Sequence, residues 1–512
     1  VIFHSSTQSP CKLHPRDVPG DDSSSGGGRS SMYAVRHDGI FRSRSGTMSG
    51  TLSRYGTLLQ HPPRHVISIH WDDGTRACGK ARRDRGGRGG GLTLANALCT
   101  GSMAVDEVKV FEKFDSTTKP GIGGGIQINS GAVILARLGL GDAIKAGGNR
   151  VERILSRTVA GRVILDLDVL KMVRSDPKRE SVMVDNGTPM LFTIMRDHLL
   201  QILADGLPAG TVITRREVVS VEESPAGATL RFEDGSVEGP FDLVVGADGI
   251  KGAVRKAVRA APGGRGRAGN GAGEDAIYSG IRIQYGVAPA GQRPEGSERE
   301  IHQWFGGDTY GLSATYQGVG DKKFEMVAAV YQDRNRKEEN AVWDQVEAKG
   351  SCLRRLDEMG FPEEMRALAE ASDRFYELGV YYRNPMEGWV SRGEGQVVLL
   401  GDAAHAMPPN LGQGANQAIQ DAYCLAERLA DLNRRAAFDG SLITALRDYE
   451  RARKPETTLV LAKSAFVGAV ETLGGAAGGG AVGEALRDNF FLGMWKAGVA
   501  ERIFVDGAMP KV

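Results

Sequence analysis

Gly401-Asp402-Ala-Ala-His405-Ala-Met-Pro408-Pro409-Asn410-Leu-Gly412-Gln-Gly414-Ala-Asn416 is the stretch on which the fold turns. Just before it, Val397–Leu400 (VVLL) is a short apolar run of the kind a buried strand presents. That strand delivers Asp402, a carboxylate placed to accept from a polyol hydroxyl. Pro408 and Pro409 stiffen the loop. Gly412 and Gly414 let backbone N–H groups approach a flat ligand, and the helix that follows points its positive end at it. Downstream, Ala415, Ala418, Ile419, Ala422, Leu425, Ala426 and Leu429 recur at helical spacing and predict a helix from about Ala415. The plainer alternative is a glycine-rich loop that caps a helix. His405 is either an acid–base group or a structural histidine.

A second glycine-rich stretch, Gly86-Gly-Arg-Gly-Gly-Gly91, opens a short helical signal at Leu92–Cys99. A dinucleotide-binding turn needs glycine for a tight bend and a close approach of backbone to pyrophosphate, with the free N–H groups of a helix start facing the phosphates. Glu112 ends the strand signal Val108–Glu112, near the spacing at which an acid accepts from the two hydroxyls of a ribose. With Gly86 as first and Gly91 as third glycine, Arg88 stands where the second belongs. Ala81–Arg85 is charged and unsuited to the buried strand that precedes such a turn, and the nearest apolar run, His65–His70 (HVISIH), lies well upstream. An Arg-Gly-rich stretch beside an unrelated helix is an equal reading of the same residues.

Asp242-Leu-Val-Val-Gly-Ala-Asp248-Gly249 is a buried strand ending in a glycine turn with an exposed carboxylate, followed by Arg255. By itself it reads as an ordinary strand-to-helix turn. Residues 277–333 alternate in strand fashion without intervening helices, which predicts a separate sheet. The whole predicts an α/β chain: a doubly wound Rossmann-type nucleotide-binding domain from residues 86–150, 190–270 and 385–450, an inserted β-sheet domain from 151–189 and 271–384, and C-terminal helices over 451–512.

Composition bounds the function. The 512 residues are 41% hydrophobic and 25% charged, as in ordinary globular proteins. A net charge of +1 argues against a nucleic-acid or membrane-surface partner. Five scattered cysteines form neither a disulfide framework nor a zinc spacing, so a reducing compartment is expected, the cytoplasm by default. Leu459 to Leu473, the best candidate for a membrane span, is broken by Lys463 and Glu471. Residues 1–91 carry 14 Lys+Arg against 7 Asp+Glu and six of the nine histidines. Residues 1–85 read as disorder or an aberrant start, ahead of an organelle transit sequence.

In this order and spacing, the three motifs resemble those of the FAD-dependent aromatic-ring monooxygenases of the para-hydroxybenzoate hydroxylase type, over roughly residues 86–450. The most specific part is GDAAHAMPPNLGQGANQAIQDA; Arg196 in MRDHLLQIL matches the family's Arg-x-x-Leu helix. The resemblance implies that Gly86 and Gly91 serve the FAD turn, Glu112 binds the adenosine ribose and Arg196 lies against the cofactor. It implies that Asp248 and Gly249 form an Asp-Gly motif linked to flavin and nicotinamide binding. Asp402 would hold the ribityl chain, Pro409, Gly412 and Gly414 would line the isoalloxazine, and Gly123–Asn129 (GGGIQIN) would pass beside it. The implied chemistry is reduction of FAD by NAD(P)H and transfer of one oxygen atom of O2, through a flavin hydroperoxide, to a small hydrophobic aromatic or alkene substrate. No catalytic acid or base is assigned. The substrate would sit between the flavin and the 277–333 sheet, with Tyr278, Trp304, Tyr310 and Tyr316 as candidate lining or as core. Zeaxanthin epoxidases and salicylate hydroxylase-like enzymes sound closest, and the former would imply a plastid. A FAD-binding dehydrogenase on the same fold and a degenerate homologue with a damaged FAD loop are the alternatives.

Overall fold

Val66–Trp71, Glu107–Glu112, Leu243–Gly246 and Val397–Leu399 are short runs rich in valine and isoleucine, and they run parallel to one another. The computed structural model describes residues 66–71, 88–100, 105, 107–116, 123–259, 276–333, 345–435, 441–475 and 479–512. These strands form a five-stranded sheet in the order Val212–Ile213, Glu107–Glu112, Val66–Trp71, Leu243–Gly246, Val397–Leu399. Every residue of Leu243–Gly246 and Val397–Leu399 is buried, as strands covered on both faces must be.

The central strand corrects the sequence reading. The charged Ala81–Arg85 left the first strand without a candidate, yet Val66–Trp71 fills that place, with Ile67 opposite Leu243 and Ile69 opposite Val110. The fold therefore reaches into residues 1–85. The fingerprint presumes that strand, turn and helix are adjacent in sequence; here residues 72–87 intervene. Gly86 and the start of the glycine-rich stretch lie outside the described residues.

The helix Arg88–Thr100 packs Leu92, Leu94, Ala95 and Leu98 into the core. Gly91 is buried in it, and Gly90 admits a close approach: a Cβ there would stand 2.6 Å from Leu400 Cδ1 and 3.3 Å from Ala418 Cβ. The long helix Gly414–Arg435 carries the expected apolar stripe, with Ala418, Ile419, Ala422, Leu425, Ala426 and Leu429 buried.

The strand-rich middle forms a larger sheet in the order Arg374–Arg383, Ala276–Pro289, Lys323–Gln332, Thr309–Gln317, Glu300–Gly306, Arg153–Thr158, Val163–Asp168. It also takes in Phe192–Met195, paired with Gly125–Ile128 and Asn149–Arg150, strands that the sequence reading grouped with the nucleotide-binding part. The C-terminal helices are Leu442–Glu471, Gly480–Lys496 and Val499–Ala508. No helix among the described residues is long and apolar enough to cross a membrane.

Candidate functional site

In a doubly wound sheet, ligands bind beyond the carboxyl ends of the parallel strands. Three of the expected acids stand there. Glu112 ends its strand opposite Trp71 of the central strand; it is 1% exposed, and its Oε1 accepts from the Phe114 N–H at 2.9 Å. Asp248 and Asp402 follow the next two strands.

Asp402 is half-buried and opens the short helix Asp402–His405. Pro409–Leu411 makes one tight turn, and Gly412 reverses the chain at φ +62°, a backbone conformation that favours glycine. Pro409 and Gly412 are exposed, and Gly414 begins the long helix. A Cβ at Gly414, or at Gly89 in the first turn of Arg88–Thr100, would meet nothing within 4 Å. Two helix starts thus have side-chain room at a glycine in their first turn, and the first N–H groups of a helix, which have no partner within it, suit an anionic, flat ligand.

One side chain fixes this loop against the neighbouring segment. Asn416 Oδ1 accepts from the Asn129 N–H at 2.9 Å and the Gly131 N–H at 3.0 Å, while Nδ2 donates to the Gln127 and Gly412 carbonyls at 3.1 Å each. The Gly123–Asn129 segment and the Gly412–Gly414 turn therefore meet. Arg196 joins them: a Cβ on Gly123 would lie 3.5 Å from Arg196 Cδ. Asn416 stood inside the quoted motif but was assigned no role.

Asp248 is a correction. It is fully buried rather than exposed, and its Oδ2 accepts from the Val254 N–H at 2.8 Å, capping the helix Val254–Arg259. Gly249, beside it, has a φ of +73°. Arg255, one turn on, donates to the Ala403 carbonyl at 2.6 Å and pairs with Glu387, tying the Asp-Gly turn to the Asp402 loop. His405 takes the structural reading. Its Nε2 meets Asp421 Oδ2 at 2.5 Å, and the same carboxylate accepts from the Gly401 N–H at 2.9 Å and Arg453 Nε at 2.8 Å. Burial alone would raise the Asp421 carboxyl; His405 and Arg453 outweigh it and bring it down to about 2.

The opposite wall is the large sheet. Cβ atoms on Gly124 would meet Met326 Sδ at 3.0 Å and Tyr285 Cε2 at 3.2 Å, and on Gly125 the Tyr316 ring at 2.0–2.5 Å. An aromatic face is thus pressed on a backbone that lacks side chains. Tyr310 lies on that face too, paired with Phe305, its hydroxyl accepting from Gln303 Nε2 at 2.8 Å. Trp304 does not. Strand alternation turns it to the other side, into a cluster with Cys352, Leu356 and Met365. Tyr278 stacks on Tyr381 at a 5.3 Å ring separation and donates to the Asp333 carbonyl. Tyr285 and Met326 are wall residues that the sequence reading missed, although period-two alternation marked their strands.

The family described as FAD binding domain matches residues 86–464. The chain is 31% identical over 381 residues to the 3-amino-4-hydroxybenzoate 2-monooxygenase PtmB3 of Streptomyces platensis, covering 74% of this chain and 85% of that protein. It is 32% identical over 279 residues to the chloroplastic zeaxanthin epoxidase of Nicotiana plumbaginifolia, covering 53% of this chain and 38% of that protein. Among solved structures, Klebsiella pneumoniae HpxO complexed with FAD and uric acid superposes with a TM-score of 0.63 at 18% identity, covering 87% of this chain and 96% of that one. A salicylate hydroxylase substrate complex gives 0.58 at 22% identity, covering 87% and 98%. The chain belongs to the FAD-dependent class A monooxygenase family: it is an oxidoreductase, and FAD is its cofactor.

Proposed function

We propose that the chain is an NAD(P)H-consuming monooxygenase that places one oxygen atom of O2 on an aromatic or alkene substrate. The observation that carries this reading is the pairing of two walls: the Gly412–Gly414 turn stapled by Asn416, and the Tyr285, Tyr316 and Met326 face pressed on Gly124 and Gly125. Relatives named for an aminohydroxybenzoate and for zeaxanthin bracket the substrate class.

Bound FAD supplies hydride acceptance and the activation of O2. The chain's own part is binding, orientation and exclusion of water. Gly86, Gly91 and the start of Arg88–Thr100 serve the pyrophosphate, and Glu112 accepts from the ribose hydroxyls. Asp402 accepts from the ribityl chain. Pro409, Gly412 and Gly414 border the ring, where free N–H groups and the end of a 22-residue helix favour negative charge. Arg196 lies against the cofactor beside Gly123. Asp248 and Gly249 act by shaping their turn, which Arg255 links to Ala403. The apolar sheet face keeps water from the reacting centre.

The test is a purified sample. Bound flavin in the visible spectrum, NAD(P)H oxidation dependent on an aromatic or alkene compound, and one labelled oxygen from O2 in the product are expected. NAD(P)H oxidation that consumes no O2 and passes its electrons to another acceptor would make the chain a dehydrogenase. A colourless protein that stays colourless after FAD addition would make it a degenerate homologue.

A further inference from the structure

The helix Leu442–Glu471 ends beneath the Pro409–Leu411 turn, and its last residue carries a carboxyl that is buried at 5% exposure. Asn410 Nδ2 donates to Glu471 Oε2 at 2.7 Å. Gly468, one turn earlier in the helix, leaves the space that the amide occupies: a Cβ there would stand 2.7–2.8 Å from Asn410 Cγ, Oδ1 and Nδ2. The Asn410 side chain is thus inserted against the helix backbone. Its Oδ1 is buried and has no hydrogen-bond partner among the described residues.

We propose that Glu471 is held as the neutral carboxylic acid and is a positioning residue, its acid group paired with the Asn410 amide to lock the Pro409–Gly412 loop.

The donor inventory carries the argument. A carboxylic acid has one O–H donor and a carbonyl acceptor, and a primary amide has the complementary pair. The neutral acid provides the donor that Asn410 Oδ1 lacks while still accepting from Nδ2. A carboxylate accepts from Nδ2 alone and leaves Oδ1 beside a negative charge.

The surroundings favour the neutral form. From the sheet comes Tyr310, a phenol that burial holds neutral. From Gly480–Lys496 comes Arg487, whose Nη1 donates to the Gly307 and Leu473 carbonyls and whose Nε donates to Asp488, with Glu484 4.0 Å from Nη2. On its own helix the nearest cation in sequence is Lys463, two turns back. The turn itself offers Pro409, Leu411 and Gly412, all uncharged. Among the described residues, no cation pairs with Glu471. Burial pushes its carboxyl up to about 8, against the opposing pull of the Asn410 hydrogen bond. The ionised form therefore appears on the alkaline side, where the Nδ2 bond remains, the O–H bond to Oδ1 is lost and the loop is held by one bond fewer.

The proposal concerns the chain's own atoms, and its test needs no flavin, so it stands or falls apart from the functional reading. In infrared spectra of the full chain, the carbonyl stretch of a protonated carboxylic acid is expected at neutral pH. It should bleach with a midpoint near 8. It should be missing in Glu471→Gln. Amide hydrogen exchange across residues 410–414, corrected for intrinsic pH dependence, should quicken about tenfold through the same midpoint, roughly the worth of one buried hydrogen bond. Glu471→Gln, which keeps an amide in place of the acid, should hold the slow rate across the range. Asn410→Ala should retain the acid band yet exchange at the fast rate already at neutral pH. Absence of a Glu471-dependent acid band at neutral pH would overturn the proposal. So would an unchanged alkaline acceleration in Glu471→Gln, or slow exchange in Asn410→Ala, the variant that decides the matter if Glu471→Gln does not fold.

Discussion

The amide of Asn416 reaches a segment that lies far from it along the chain, 287 residues away at Asn129 and 289 at Gln127. Replacing it by alanine strands two buried N–H groups, those of Asn129 and Gly131. Each such loss costs about 1–3 kcal/mol, so Asn416→Ala should lower the unfolding free energy by about 2–6 kcal/mol in urea titration. Asn416→Asp keeps the acceptor and loses the donors, and should fall between. An alanine variant as stable as the parent would remove Asn416 from its place in the site. No sequence pattern announces a bond of this kind, because neither partner is local. The same holds for Asp248: a strand-end carboxylate is legible, but its direction depends on where the Val254 N–H falls after the turn. By contrast Gly412 was legible, because a turn between Pro409 and a helix start calls for glycine on local grounds.

Strands show one face to each side, so alternation within 277–333 was readable while the choice of face was not. Pairing decides it: Trp304 lies opposite Gly311, whose Cβ position is 2.3 Å from the Phe361 ring, whereas Tyr316 faces Gly125. Trp304→Phe should therefore lower stability by about 1–3 kcal/mol and leave KM for the best substrate unchanged, while Tyr316→Leu should shift KM at least severalfold. The opposite split would mean that the substrate wall is on the helix-covered side. A second element-scale device is the Asp421 network, which joins Gly414–Arg435 to Leu442–Glu471 through Arg453 and to the Val397–Leu399 strand end through the Gly401 N–H. The folded Asp421 carboxyl sits at about 2, below its ordinary 3.8. A depressed carboxyl contributes stability that is complete above its unfolded value and drains away as pH falls through the folded one. Asp421→Asn should cost about 3–5 kcal/mol near neutral pH by leaving Arg453 without its counter-ion. The gap between variant and parent should then narrow as acid is added over the interval from about 4 to about 2. A gap constant over that interval would rule out this carboxylate as the source.

At the scale of the molecule, three of the parallel strands were legible as apolar runs, but the one at the centre was discounted because it lies well upstream of its helix, with residues 72–87 between them. The physics of the sheet restores it. Val66–Trp71 is bonded on both sides, to Glu107–Glu112 over six residue pairs and to Leu243–Gly246 over four. Removing it leaves two strands with open inner edges in the middle of a buried core, where unpaired N–H and C=O groups cost most. A chain shortened to begin at Gly86 should accordingly be recovered aggregated and without flavin colour. A chain shortened to begin at His61, where the larger compact unit starts, should fold and take up FAD with the affinity of the full chain. Ile69→Pro in the full chain gives the same contrast without a deletion, since proline cannot donate to a central ladder, and should reproduce the loss. Flavin uptake by the chain beginning at Gly86 would show that the sheet closes without Val66–Trp71, and that the glycine-rich turn is fed by some other strand.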